Sequence, residues 1–476
     1  MDNSSIRDKA HEMADWVANY FENIDQYRVL PDVRPGEIKN QLPSSPPDEP
    51  EAFEEIMHDF NQIIMPGMTH WQHPGFMAYF PASRSAPSVF AEMLTATLGA
   101  QCMVWYTSPA AEELEERTME WLGQMIGLPN DFTGVIQETA SAATLVALLM
   151  AREKKTGFEV NKKGLYGQRP LRVYASEQIH SSINKAVRMA GLGEDNLVLI
   201  AGLEDFAIDT HALKTAIEAD LKNGLQPLAL IGAFGTTSSA ALDNLEELAK
   251  IAETYQLFFH VDAAYCGNAL VLPEIRKLAQ GIHRADSIVF NPHKWMFINF
   301  DCSAFFVKDV PLLTQVFSIT PSYLKTPQDQ LVNNYRDWGI QLGRRFRALK
   351  LWFVLRYYGV KGIQEKIRNH IEYGKWLAME MQQTPGYEVV TPVLFNLVCW
   401  RYLPTQYQGN LKAINEFNQM VLEKINNSGT LLLTGTTLGD QYVIRVVAGQ
   451  TDTRKEDLEK AWKQIQATVN QIEQTI

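Results

Sequence analysis

The chain is poor in cysteine, with four in 476 residues, at Cys102, Cys266, Cys302 and Cys399. No two stand at CxxC spacing and their neighbours are mostly apolar, which predicts buried free thiols rather than disulfides or metal ligands. Such usage suits a reducing cytosol. Long apolar runs are missing too: the longest, Ala142 to Ala151, is far too short to span a bilayer. There is no basic excess, since 43 Lys and Arg against 55 Asp and Glu leave a formal charge of -12. Neither nucleic acid nor an anionic membrane is therefore expected as the main partner. Repeats and low-complexity tracts are absent as well.

What is present is enough apolar material for more than one core, so two or three domains are expected. Near the N-terminus, Ile6, Ala10, Met13, Val17, Tyr20 and Phe21 predict an amphipathic helix instead of the uniform apolar core of a signal peptide. Together these features read as a soluble cytoplasmic protein. A proline-rich arm follows over Val29 to Pro50, then helical spacing over Phe53 to Ile64. The aromatic segment Met65 to Pro81 is too irregular for a core helix and is expected to wall a pocket.

From about Pro87 to Val307 helices alternate with the short apolar runs GVIQ, LRVYAS, NLVLIAG, PLALIGAF, QLFFHVD, DSIVF and CSAFFVK. That alternation predicts an α/β fold, a mostly parallel sheet with helices on both faces. After PLALIGAF, Asp243 with Glu246 supplies an N-cap signal for the helix that follows. Pro311 to Trp338 reads as a long loop centred on Pro321 to Lys325, and Arg344 to Tyr358 as a basic amphipathic helix. The last 120 or so residues, with LFNLVCWRY and QYVIRVVA, form a smaller C-terminal domain.

Two of the apolar runs end in chemistry. Asp262 closes FFHVD, and Lys294, 32 residues on, follows DSIVF in Asn291-Pro292-His293-Lys294-Trp295. A lysine amine can hold an aldehyde cofactor, and a carboxylate can keep its pyridine nitrogen protonated, the pairing that pyridoxal phosphate (PLP) enzymes need. Open parallel sheets place their sites where such strands end. A phosphate cradle is offered by Thr139-Ala140-Ser141 at the head of an apolar helix, with Gly235-Thr236-Thr237-Ser238-Ser239 as a second candidate. His180 follows LRVYAS at the same expected edge, where an imidazole can stack on a planar cofactor.

NPHKW, HVDAAY, THWQHPGFMAYFP, SPAAEELEERTMEWL, EQIHSS, FGTTSS, NFDCSAFFVK, PSYLK and LGRRFRALKLWFVLRYYGVKG stand in one order along the chain. Together they resemble the aromatic L-amino acid decarboxylases of the group II PLP decarboxylase family, from about residue 5 to the C-terminus. The resemblance implies a fold-type I PLP enzyme that decarboxylates an aromatic amino acid to its amine, and a homodimer with shared active sites. It implies an N-terminal helical dimerisation segment over 1–86, a large PLP-binding domain over 87–365 and a small α+β domain over 366–476. By the same similarity Lys294 carries the cofactor as a Schiff base, Asp262 pairs with the pyridine nitrogen and His180 stacks on the ring. Ala140, Ser141, Asn291 and His293 match phosphate-binding positions, and Thr236 the residue near the phenolic oxygen. Thr69, Trp71, Tyr79, Phe80 and Pro81 fall in the segment that lines the substrate pocket.

Tyr323 matches the family's proton donor. Members that form aldehydes replace that tyrosine by phenylalanine or the histidine by asparagine, and both decarboxylase residues stand in this sequence. Gly343 matches a pocket position where related histidine and tyrosine decarboxylases carry serine; glycine leaves room for indole or a broad range of aromatic rings. Three positions depart from the animal pattern. Met103 replaces an aromatic and Gln101 an aliphatic in the pocket wall, and Glu138 stands where glycine is usual, so that its carboxylate must turn away from a phosphate or be paired. A decarboxylase of acidic substrates would want a basic pocket, which the aromatic segment argues against, and a scaffold without catalysis would be expected to have lost Lys294 or Tyr323.

Overall fold

The computed structural model describes residues 3–319, 328–329 and 331–475. Its main sheet has seven strands: β1 (Thr133–Gln137), β2 (Leu171–Ser176), β3 (Leu197–Ile200), β4 (Gln226–Ala233), β5 (Phe258–Asp262), β6 (Ser287–Phe290) and β7 (Ser303–Val307). The spatial order is β1-β7-β6-β5-β4-β2-β3. These are the seven runs expected to be strands. Neighbours from β3 to β6 pair in parallel, while β7 runs antiparallel to both β1 and β6.

The apolar run that is too short for a membrane has its explanation in the helix Ala140–Thr156. Nine of its residues are buried, and seven of them, Ala143, Leu145 to Leu148, Met150 and Ala151, join a cluster with residues of β1, β2, β4 and β7. Burial on nearly all sides is what makes a helix apolar all round. Its one fully buried acid, Glu153, accepts from Arg152 Nε at 2.8 Å and from the Asn161 amide at 3.1 Å, which satisfies both oxygens.

Two local expectations fail. Asp243 is not the cap of the helix Leu245–Tyr255; Asn244 is, accepting the Glu247 amide at 3.1 Å. Asp243 is buried and accepts the amides of Ala233 at 2.7 Å and Ile208 at 2.9 Å, stitching the end of β4 to a neighbouring loop. The stretch expected to be loop from Pro311 begins instead as the helix Val310–Phe317, capped by Asp309 with proline in its first turn, where a missing N–H costs nothing. The basic helix starts at Arg347 and runs to Gln383, broken by left-handed Gly359.

The chain divides into two compact units. One comprises Ala82–Lys375 and Thr391–Leu397 and contains the seven-stranded sheet. The other gathers Met1–Pro81 with Trp376–Val390 and Val398–Ile476. It contains most of a four-stranded sheet of order β10-β11-β9-β8, made of β8 (Tyr387–Val389), β9 (Leu397–Tyr402), β10 (Thr434–Leu438) and β11 (Gln441–Val447). In this unit Phe76 bridges to Leu432, and the Met77 amide donates to the Leu432 carbonyl at 3.0 Å. Among the described residues no helix is long and apolar enough to cross a membrane. All four cysteines are buried thiols, as expected.

Candidate active site

Because β7 alone is reversed, β1, β2, β4, β5 and β6 all end at one edge of the sheet. Onto that edge the chain delivers Glu138 to Ser141, the turn before His180, Gly235 to Ser239, Asp262 and the turn Asn291 to Lys294. Asp262 faces Ala233 of β4 on one side and Val289 of β6 on the other. The sequence elements suspected of chemistry thus converge by topology alone.

Lys294 lies in the single helical turn Pro292–Trp295 that follows β6. The turn is held by residues more than two hundred positions away: the Ser83 hydroxyl donates to the Lys294 carbonyl at 2.6 Å, and the Ser83 amide to the His293 carbonyl at 3.0 Å. Burial lowers the pKa of the Lys294 amine, opposed by the negative charge of Asp262. A depressed pKa gives a nucleophilic amine, and a carboxylate partner keeps it from being lost to neutrality altogether. The Asp262 carboxylate is itself fixed by the Ala264 amide at 3.0 Å. Beneath this pair Gly235 has φ +94°, and a Cβ there would collide with Cys266 Sγ; close approach as well as the left-handed backbone demands glycine.

The first candidate cradle is a true helix N-terminus. Thr139 caps it, its hydroxyl accepting the Ala142 amide at 3.3 Å and its carbonyl the Ala143 amide at 3.1 Å. The amides of Ala140 and Ser141 precede the first helical hydrogen bonds and are the groups an anion can take. Two further residues expected at the phosphate, Asn291 and His293, have side chains fixed by hydrogen bonds. Asn291 Oδ1 accepts the Ser303 hydroxyl at 2.6 Å, which assigns the other side-chain atom as the donor nitrogen. His293 Nδ1 accepts the Cys302 amide at 2.9 Å, and burial next to Lys294 pushes its pKa down to about 3, so the ring is neutral with its proton on Nε2.

The second candidate opens no helix. Thr236 and Ser239 pair hydroxyl to hydroxyl at 2.9 Å, and the Ala241 amide donates to Thr236 Oγ1 at 3.1 Å. His180 is exposed, its Nδ1 engaged by the Ser182 hydroxyl at 2.8 Å, and partial desolvation lowers its pKa while Asp262 opposes the shift. Glu138 is paired, as a carboxylate near a phosphate must be: Oε2 accepts Gln341 Nε2 at 2.6 Å and Oε1 lies 3.7 Å from Arg347 Nη2.

The residues expected from the sequence to line the substrate pocket are divided between the two units. Gln101, Met103 and Gly343 belong to the unit of the large sheet, where Gln101 Oε1 accepts the Arg344 amide at 2.7 Å and a Cβ on Gly343 would stand 3.1 Å from Gln101 Nε2. Thr69, Trp71, Tyr79, Phe80 and Pro81 belong to the other. There Trp71 stacks on Tyr79 with centroids 5.7 Å apart, and Arg445 lies over the Phe80 ring at 5.3 Å. Tyr323 lies outside the described residues. Sequence reasoning missed Ser83, Ser303 and Cys266, whose contacts with the site join distant stretches and leave no local signal.

An amine, a carboxylate and an anion cradle at one sheet edge match the aldehyde, ring nitrogen and phosphate of PLP, so the fold and site define a PLP-dependent enzyme of fold type I. A family model described as the pyridoxal-dependent decarboxylase conserved domain matches residues 35–403. The chain belongs to the pyridoxal-dependent decarboxylase family. It is 42% identical to tyrosine decarboxylase 2 of Narcissus pseudonarcissus, over 98% of this chain and 95% of that one. It is 41% identical to phenylacetaldehyde synthase of Arabidopsis thaliana, over 98% and 96%. The crystal structure of Oryza sativa TDC with PLP and tryptamine superposes with a TM-score of 0.95 at 33% identity, covering 99% of both chains.

Proposed function

We propose that the protein decarboxylates aromatic L-amino acids to aryl amines and CO2, with tryptophan, 5-hydroxytryptophan, phenylalanine, tyrosine and DOPA as the substrate class. The observation that carries this reading is the part-buried Lys294, its amine pKa lowered by desolvation and opposed by Asp262, at the edge where the capped helix Ala140–Thr156 begins. Bound PLP supplies a conjugated sink for the electron pair left behind as CO2 departs. Lys294 Nζ is the amine that would hold the cofactor through its aldehyde carbon. Asp262 keeps the ring nitrogen protonated, and His180 covers the ring face. The amides of Ala140 and Ser141, with Asn291 and the Nε2–H of His293, hold the phosphate, and Thr236 lies near the phenolic oxygen. Thr69, Trp71, Tyr79, Phe80, Pro81, Gln101, Met103 and Gly343 receive the aromatic ring.

Tyr323 delivers the proton to the former alpha carbon, and this separates amine formation from aldehyde formation. With O2 as the oxidant and water supplying the carbonyl oxygen, Tyr323→Phe is expected to shift products from amine toward aldehyde, ammonia and hydrogen peroxide, CO2 being lost in either case; amine alone from that variant sinks the donor assignment. The protein acts in the cytoplasm as a homodimer with shared sites. The helix Ala86–Leu98 supports this, since Phe90, Met93, Leu94 and Leu98 are exposed at helical spacing on one face. Light scattering on a size-exclusion column that returned a monomer would overturn the assembly.

A further inference from the structure

We propose that Glu138 is a positioning residue which ties the phosphate cradle to the segment that carries Gly343, so that cofactor retention and selection of the substrate ring are coupled. The inference rests on the phosphate placement proposed above. Glu138 is the single residue between the end of β1 at Gln137 and the cap Thr139, so its conformation sets how the cradle leaves the sheet. Its carbonyl lies 3.4 Å from the Ser303 hydroxyl, the group that orients Asn291.

Its side chain points the other way along the chain, to residues two hundred positions later. Oε2 takes the Gln341 amide at 2.6 Å, while the preceding Gln137 donates to the Trp338 carbonyl at 2.8 Å. Two consecutive residues therefore grip Trp338 to Gln341, and Gly343 stands two residues beyond Gln341. Oε1 faces Arg347 at 3.7 Å, but that guanidinium already binds Asp301 through two contacts at 2.9 and 3.2 Å. Arg347 faces both carboxylates while Lys350 and Arg345 bind Glu92, and the Glu138 charge stands one residue from the cradle. The tether thus weakens the hold on a dianionic phosphate while it fixes the ring-recognition segment.

Two variants separate these effects. Glu138→Gln keeps an acceptor for Gln341 and removes the charge; Glu138→Ala removes both. Titrating the cofactor into apoprotein by absorbance, Glu138→Gln should bind PLP about 3- to 10-fold more tightly than the parent, with binding of phosphate-free pyridoxal unmoved. Glu138→Ala should raise KM for an aromatic amino acid several-fold with a smaller change in kcat, while Glu138→Gln keeps the parental KM. Equal KM in all three proteins, or an unmoved PLP affinity in Glu138→Gln, overturns the proposal. Ser141→Asp separates this from the underlying reading: parental PLP affinity in that variant removes the cradle itself, whereas weakened binding there with no change in Glu138→Gln removes only the role of Glu138.

Discussion

The edge that carries Lys294 and the segments that carry Gln101 and Gly343 lie in the same compact unit but are held in different ways. At the edge, each reactive group follows directly on a strand or opens a helix, and the strands are paired on both sides. Around Gly343, exposed loop backbone is held by side chains: Gln101 on the Arg344 amide, Gln137 on the Trp338 carbonyl, and the Arg344 guanidinium on Glu115 at 2.7 Å and on the Ile136 carbonyl at 2.8 Å. On the proposed reading, the reactive groups are fixed by the sheet and the ring preference rests on contacts that one substitution can rearrange. The same contrast separates the two Ser/Thr-rich turns. One heads a 17-residue helix and offers amides to an anion, and in the other Thr236 and Ser239 pair their hydroxyls with each other.

The largest effect should come from breaking the edge. Lys294→Ala is expected to abolish amine formation and the absorbance of enzyme-bound cofactor; retained turnover measured by CO2 release would remove the amine from the mechanism. Next comes the loop side. Gly343→Ser places its side chain against Gln101, so the ratio of kcat/KM for tryptophan over tyrosine should fall by roughly tenfold, with part of the change relieved in Gly343→Ser combined with Gln101→Ala. An unmoved ratio would show that these segments do not read the ring.

A smaller change tests the cradle. Thr139→Ala removes the cap of the helix Ala140–Thr156 and should cost about 1 kcal/mol of stability by denaturant unfolding. It should also weaken PLP binding; loss of stability with parental affinity would make the cap purely structural.

The smallest effect on turnover concerns the support of the loop side, where burial raises the buried Glu112 carboxyl from 4.5 to about 8 against the pull of Arg344. A carboxyl raised in the folded state favours folding below 4.5 and loses that contribution as pH climbs to about 8. Glu112→Gln should therefore flatten the decline of the thermal midpoint over that window; an unchanged slope would mean Glu112 is not the group titrating.

Much of the edge was legible in the sequence because strand ends are marked by composition: FFHVD and DSIVF stop where a carboxylate and a turn-forming Asn-Pro begin. The N-cap was legible in Thr139 for the same local reason. Asp243 misled, since the same residue type caps a helix in water and binds two amides when buried, and only the approach of Ile208 and Ala233 decides between them. The helix Val310–Phe317 was hidden by its proline, which breaks helix interiors but suits a first turn.

By itself the sequence determined the seven strands, the alternation that makes the sheet mostly parallel, the thiol state of the cysteines and the residue types that cofactor chemistry needs. These depend on the nearest neighbours along the chain. Tertiary structure alone decided that β7 enters reversed between β1 and β6, that Ser83 holds the turn of Lys294, and that Glu138 faces Gln341 and Arg347. Each joins residues far apart in sequence, and pairing of that kind is set by which surfaces bury one another, a property of the packed molecule that no local pattern encodes.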